Sequence, residues 1–168
     1  MSGGGSRLIF AALMAAGLVM APLAGCKETD GMAAAETNPK AEGPDGLPII
    51  FWTIKQNDQK KVGAILDAGG DIEAKGYHKA TPILAAAIVD NWEMAAFLMK
   101  RGAWLDAVDG RGFTLPYLAA QAKVAEGSPT AAALQEVRVA LNDRAMLEKI
   151  YPPLEVRKML KEGRWPPQ

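Results

Sequence analysis

A block of this chain returns after 33 residues. Gly69-Gly70-Asp71-Ile72-Glu73-Ala74 comes back, altered, as Gly102-Ala103-Trp104-Leu105-Asp106-Ala107. Thr81-Pro82-Ile83-Leu84-Ala85-Ala86-Ala87 comes back as Thr114-Leu115-Pro116-Tyr117-Leu118-Ala119-Ala120. Self-similarity at that period is the mark of a solenoid, in which each unit buries its apolar face only against the next. The expected product is a stack of helix pairs, and such stacks commonly bind other proteins.

The helical reading rests on spacing. Met94, Phe97 and Leu98 recur at intervals of three and four, and Val62, Ile65 and Leu66 repeat that pattern one period earlier. Short helices are expected over 48–54 and 60–68, and again over 81–89 and 93–101. Gly69 and Gly102 follow the second member of each pair, where a helix commonly ends in a left-handed turn. Ser128-Pro129 opens a later helix reaching about Asn142, with serine as cap and proline in the first turn. A last pair is expected over Arg144–Tyr151 and Pro153–Glu162. Leu154, Val156, Met159 and Leu160 give its second member an apolar side.

The repeat motifs resemble those of ankyrin repeats. Thr81-Pro82-Ile83-Leu84-Ala85-Ala86-Ala87 matches the family's Thr-Pro-Leu-His-x-Ala-Ala, with Leu84 in the histidine position. Asp109-Gly110-Arg111-Gly112-Phe113-Thr114 matches its Asp-x-x-Gly-x-Thr turn. The fold expected is therefore all-α: an ankyrin-repeat solenoid of helix pairs with β-turn fingers and a C-terminal helical cap. Thr81 and Thr114 are positioned to cap the helices that follow. Three departures stand out. Lys79 occupies the finger-glycine position, Pro116 falls one place late and points to a late helix start, and the first unit begins with a degenerate Leu47-Pro48-Ile49.

The N-terminus has a different character. An apolar run of about 14 residues, Leu8 to Ala21, is shorter than the roughly 20 a membrane span requires. It leads into Leu23-Ala24-Gly25-Cys26, which resembles a bacterial lipoprotein signal. The resemblance implies cleavage before Cys26 and lipidation of that residue, the one cysteine in 168. Lys27 behind it favours the outer membrane, facing the periplasm. Residues 1–25 then form the signal peptide and 26–46 the lipidated residue and a flexible tether. Such a tether has an end-to-end distance of roughly 25 Å. Ankyrin repeats would fill 47–126, with the completing helix and cap over 127–168.

Chemistry is sparse. Formal charge is zero, so no basic excess holds nucleic acid. His78 is the single histidine, which rules out a two-histidine metal site. Gly110-Arg111-Gly112 lacks the lysine-serine of a phosphate loop. Asp71 and Glu73 read as a solvated loop. No catalytic residue, metal or cofactor is expected.

A binding surface is expected instead. Ankyrin domains usually meet ligands through finger tips and inward-facing first helices. By that resemblance the surface comprises Lys55, Gln56, Lys75, Tyr77, His78, Ile88, Val89, Arg111, Phe113 and Gln121. Tyrosine and arginine are enriched among interface hot spots. Ile88 and Val89 have a second reading, packing against Trp92 and the neighbouring repeat. The partner expected is a protein met by a monomeric, lipid-anchored binder. One reading is a periplasmic immunity protein that sterically blocks a cognate envelope-active toxin, such as a type VI secretion phospholipase effector. The other is a scaffold for an envelope enzyme, for example in oxidative-stress defence.

Overall fold

A computed structural model describes residues 37–166. The signal, Cys26 and the first part of the expected tether lie outside the described residues. The described chain is all-α. Its seven α-helices are α1 (Ile49–Lys55), α2 (Gln59–Asp67), α3 (Pro82–Ile88), α4 (Trp92–Lys100), α5 (Leu115–Gln121), α6 (Pro129–Asn142) and α7 (Pro153–Lys161).

The first six helices pack as three pairs: α1 with α2, α3 with α4, α5 with α6. Pairs stack by kind. The first helices α1, α3 and α5 lie in one row, and α4 packs on α6 behind them. Middle helix α4 buries Trp92, Met94, Ala95, Ala96 and Leu98. A helix apolar around most of its girth needs neighbours on several sides, and the stack supplies them.

The 33-residue period holds in the backbone of the first two units. Asp58 caps α2 by accepting the Lys61 N–H at 2.9 Å, and Asn91 caps α4 by accepting the Met94 N–H at 3.1 Å. Helix α2 ends with Gly70 N–H donating to Ile65 C=O at 2.9 Å, and α4 with Ala103 N–H donating to Leu98 C=O at 3.1 Å. The turn glycines match too, with φ +90° at Gly69 and +91° at Gly102. Side chains then tie unit to unit. Asn91 donates to Asn57 at 2.9 Å, and Arg101 pairs with Asp67. Both links span 34 positions.

The third unit departs from that register. Thr130 of α6 bonds to Glu93 of α4 across 37 positions rather than 33 or 34. The loop before α6 is lengthened accordingly, and α6 itself runs 14 residues. Ser128 accepts the Ala131 N–H at 3.0 Å, so the expected N-cap is present. Leu134, Val137 and Leu141 face inward at spacings of three and four. Arg138 crosses back to donate twice to the Ala119 carbonyl, at 2.7 and 3.2 Å. It thereby serves an otherwise unpaired C=O near the end of α5.

Several expectations are corrected. Helix α5 begins at Leu115, one period after Pro82, so Pro116 delays nothing; it sits in the first turn, where a missing N–H costs little. Thr114 caps as expected, through the Tyr117 N–H at 3.3 Å. Thr81 does not: its hydroxyl is buried without a hydrogen-bond partner, and α3 has no side-chain cap. Part of the expected tether is folded. Ile49 N–H donates to Ala41 C=O at 2.8 Å, Gly43 N–H to Leu47 C=O at 2.7 Å, and Gly43 is buried.

No helix forms over Arg144–Tyr151. Ala145 takes φ +56°, and Met146 N–H donates to Leu141 C=O at 2.9 Å, closing the end of α6. Pro152 then holds the preceding residue away from helical geometry. Helix α7 turns Val156 and Met159 inward but leaves Leu154 and Leu160 exposed, so only half of its expected apolar side is used. Its N-terminus lies on the loop at Gly112, beside Pro153 and Arg157.

Candidate functional site

The ends of α1 and α3 and the loop between the first two pairs enclose an apolar groove. Phe51 and Ile54 from α1 and Ala85 from α3 form its floor, and Leu47 and the buried Ala80 also line it. Its volume is about 230 Å³. Six expected surface residues line it: Lys55, Tyr77, His78, Ile88, Val89 and Arg111.

Each reaches the groove for a local reason. Lys55 is the last residue of α1, and Val89 follows the last turn of α3. Val89 is 68% exposed and Ile88 is partly exposed, while Trp92 is fully buried in the core. The packing alternative therefore does not hold for Val89. Tyr77, His78 and Lys79 form one 3₁₀ turn. His78 and Lys79 adopt φ +52° and +62° there, in a left-handed bend, and the preceding Tyr77 is 58% exposed. Lys79 thus takes by strain the conformation that Gly112 takes freely one period later, at φ +89°. The two successive loops are joined by the Gly110 N–H, which donates to the His78 carbonyl at 2.6 Å.

The rim is cationic. Lys55 Nζ lies 5.3 Å from the centre of the Tyr77 ring, within cation–π range. It also pairs with Asp45 at 2.5 Å. That bond raises the Lys55 pKa and lowers that of Asp45. Both groups are therefore charged across the physiological range. On the opposite rim, Arg111 donates from Nε to Asp109 at 2.9 Å and stacks 4.9 Å from the centre of the Phe113 ring. Asp109 also accepts the backbone N–H groups of Arg111 and Phe113, each at 2.9 Å. One buried carboxylate thereby fixes the whole turn and aims the guanidinium.

The other expected contact residues lie apart. Gln56 borders a separate hollow with Pro44, Trp52 and Lys61. Lys75 is exposed on the loop, and Gln121 is exposed at the end of α5. Phe113 is half-buried, packed on Tyr117 at 5.8 Å between ring centres, and supports Arg111 from behind. The floor residues Phe51, Ile54 and Ala85 were legible only as core, because they are apolar members of helices.

Glu73 is the other surprise. It does not sit in a solvated loop: its Oε1 accepts the Trp104 N–H at 2.7 Å, and Oε2 is buried without a partner. Burial raises its pKa, opposed by that hydrogen bond and by Lys75, and assisted by Asp71 and Asp106.

A larger hollow, about 420 Å³, opens beside the C-terminal segment between Met146, Ile150, Tyr151 and Trp165. Asp106, Arg144, Glu148 and Lys149 give it both signs of charge. Among the described residues no cluster of His, Cys, Asp or Glu could hold a metal ion. No helix among them is long and apolar enough to cross a membrane.

Fold and groove together define an all-α protein of stacked helix pairs with an apolar groove between cationic rims. No family model matches the chain. It is similar to "Potassium channel AKT3" of Oryza sativa subsp. japonica, at 36% identity over 73 residues. That stretch is 43% of this chain and spans 8% of the channel's length.

Proposed function

We propose that this chain is an ankyrin-repeat protein-binding module, anchored through Cys26 to the envelope of a bacterium and acting by steric occlusion rather than by chemistry of its own. The observation that carries the reading is the groove. Tyr77, Ile88 and Val89 present apolar surface to solvent beside Lys55 and Arg111, at the loop tips and first-helix ends through which ankyrin domains meet ligands. A contiguous apolar patch with a polar rim is the usual form of an interaction site. The matched caps, turn glycines and hydrogen bonds at a 33-residue spacing support the ankyrin assignment. Leu23-Ala24-Gly25-Cys26 supports the anchor.

The partner that fits this address is an envelope-active toxin, held inactive by coverage of its active-site mouth. Deleting the gene should then kill cells only when the toxin gene is intact. Survival of the deletion beside an active toxin gene rejects the inhibitor, and co-purification with a resident envelope enzyme replaces it with the scaffold. At the groove, Tyr77→Ala and Val89→Ser should each weaken partner binding by about 1 kcal/mol or more, as truncated hot spots do. Their unfolding midpoints should match the parent. Unchanged affinity in folded protein removes the groove from the interface.

A further inference from the structure

We infer that the groove receives an acidic protein segment bearing one apolar anchor side chain. The inference rests on the protein-binding reading above and adds the chemistry of what is bound.

Size comes first. A volume of about 230 Å³ lies below the roughly 300–1,000 Å³ of small-molecule sites. It suits one large aliphatic or aromatic side chain. The floor of Phe51, Ile54 and Ala85 offers such a group no hydrogen-bonding side chain.

Charge sets the flanks. The ionisable side chains lining the groove are Lys55, Tyr77, His78 and Arg111, and no carboxylate is among them. Both rim cations have acidic partners, but each pair is oriented the same way. The Lys55 side chain is 49% exposed while Asp45 is 14% exposed. The Arg111 side chain is 38% exposed while Asp109 is fully buried. The acids are turned inward and their lone pairs are taken up by local donors, Leu47 N–H and Lys55 for Asp45, Arg111 and Phe113 N–H for Asp109. Asp90, next to Val89, is exposed, but it does not line the groove, and one of its oxygens accepts the Trp92 indole N–H at 3.0 Å. A ligand at the rim therefore meets ammonium and guanidinium edges. Carboxylates flanking the anchor satisfy them, and arginine in particular favours a bidentate carboxylate. Concavity favours a projecting protein segment over a lipid surface, which needs a convex or flat patch.

The experiment pans a random twelve-residue peptide library against the full-length mature protein, followed by affinity measurement on the enriched peptides. The expected sequences carry an aliphatic or aromatic residue between glutamates or aspartates. Their affinity should fall at least tenfold between about 0.05 and 0.5 M salt, since exposed charge pairs are screened. Lys55→Met should weaken them at least fivefold with the unfolding midpoint checked in parallel, and the salt dependence of the parent stands if that variant does not fold. Enriched peptides that lose affinity in Val89→Ser but are neutral or basic, or insensitive to salt, overturn the acidic assignment and leave the binding groove standing. Peptides indifferent to Val89→Ser, or no enrichment at all, overturn both. Binding to phosphatidylglycerol vesicles that Lys55→Met abolishes, with no peptide selected, assigns the rim to a membrane instead.

Discussion

Substituting Gly112 by alanine tests how the C-terminal helix is held. Gly112 sits at φ +89°, and a Cβ there would lie 3.0 Å from the Pro153 carbonyl carbon and closer still to its oxygen. Arg157 Cγ would also be 3.0 Å away. Two costs follow. The left-handed backbone disfavours any L side chain by about 1–2 kcal/mol. The overlap falls on backbone at the start of α7, which cannot rotate aside, and forced overpacking of this kind costs about 1–3 kcal/mol. Gly102 separates the two costs. Its φ is +91°, yet a Cβ there meets nothing within 4 Å. Gly102→Ala should therefore lose about 1–2 kcal/mol and Gly112→Ala about 2–5 kcal/mol in total. Urea unfolding followed by far-UV circular dichroism measures both against a total of roughly 5–15 kcal/mol. Stopping the chain before Pro152 should bring the Gly112→Ala cost down to that of Gly102→Ala, because the overlapping atoms are gone. Equal costs in the full-length protein would refute the docking of α7 on this loop.

Asn91→Ala should cost more than Asp58→Ala in the same unfolding assay. Each removes an N-cap, worth about 1 kcal/mol, but Asn91 also bonds across the pair boundary to Asn57. The burial of Glu73 raises its folded pKa above the ordinary 4.5. Its contribution is therefore fully present below the unfolded value and is lost as pH rises through the folded one. Parent stability relative to Glu73→Gln should fall as pH is raised through that window, and parallel pH profiles would contradict it. Cys26→Ser should leave the protein unprocessed or soluble in cell fractionation, and unchanged membrane association would reject lipidation.

The helix pairs were legible because their signals are local. Gly69 and Gly102 as stops and the three-and-four spacing around Val62 and Met94 each act within a few residues, although the caps Asp58 and Asn91 were not read from the sequence. Those helix ends fall within one residue of their expected places. What escaped depends on neighbours distant in sequence. Glu73 reads as a loop acid until Trp104, 31 residues away, is placed against it. Leu154 and Leu160 read as core at helical spacing, but Gly112 meets α7 near Pro153 and Arg157, and only Val156 and Met159 are covered. Arg144–Tyr151 has helix-forming residues, yet Ala145 within it takes a left-handed φ that a helix does not accommodate. At the groove, the rim residues Lys55, Tyr77, His78, Ile88, Val89 and Arg111 were reached through the ankyrin resemblance, which points to loop tips and first-helix ends. Phe113 was assigned to it by the ankyrin resemblance, whereas its ring is occupied by Arg111 and Tyr117.

Photocrosslinking in living cells shows which face of the protein meets its partner. A photoreactive phenylalanine analogue would replace Val89 in the groove, and separately Trp104, which is also exposed but lies outside the groove. Position 89 should capture one envelope protein as a single defined adduct, and position 104 should not. Capture at 104 with none at 89 would contradict the groove as the binding face.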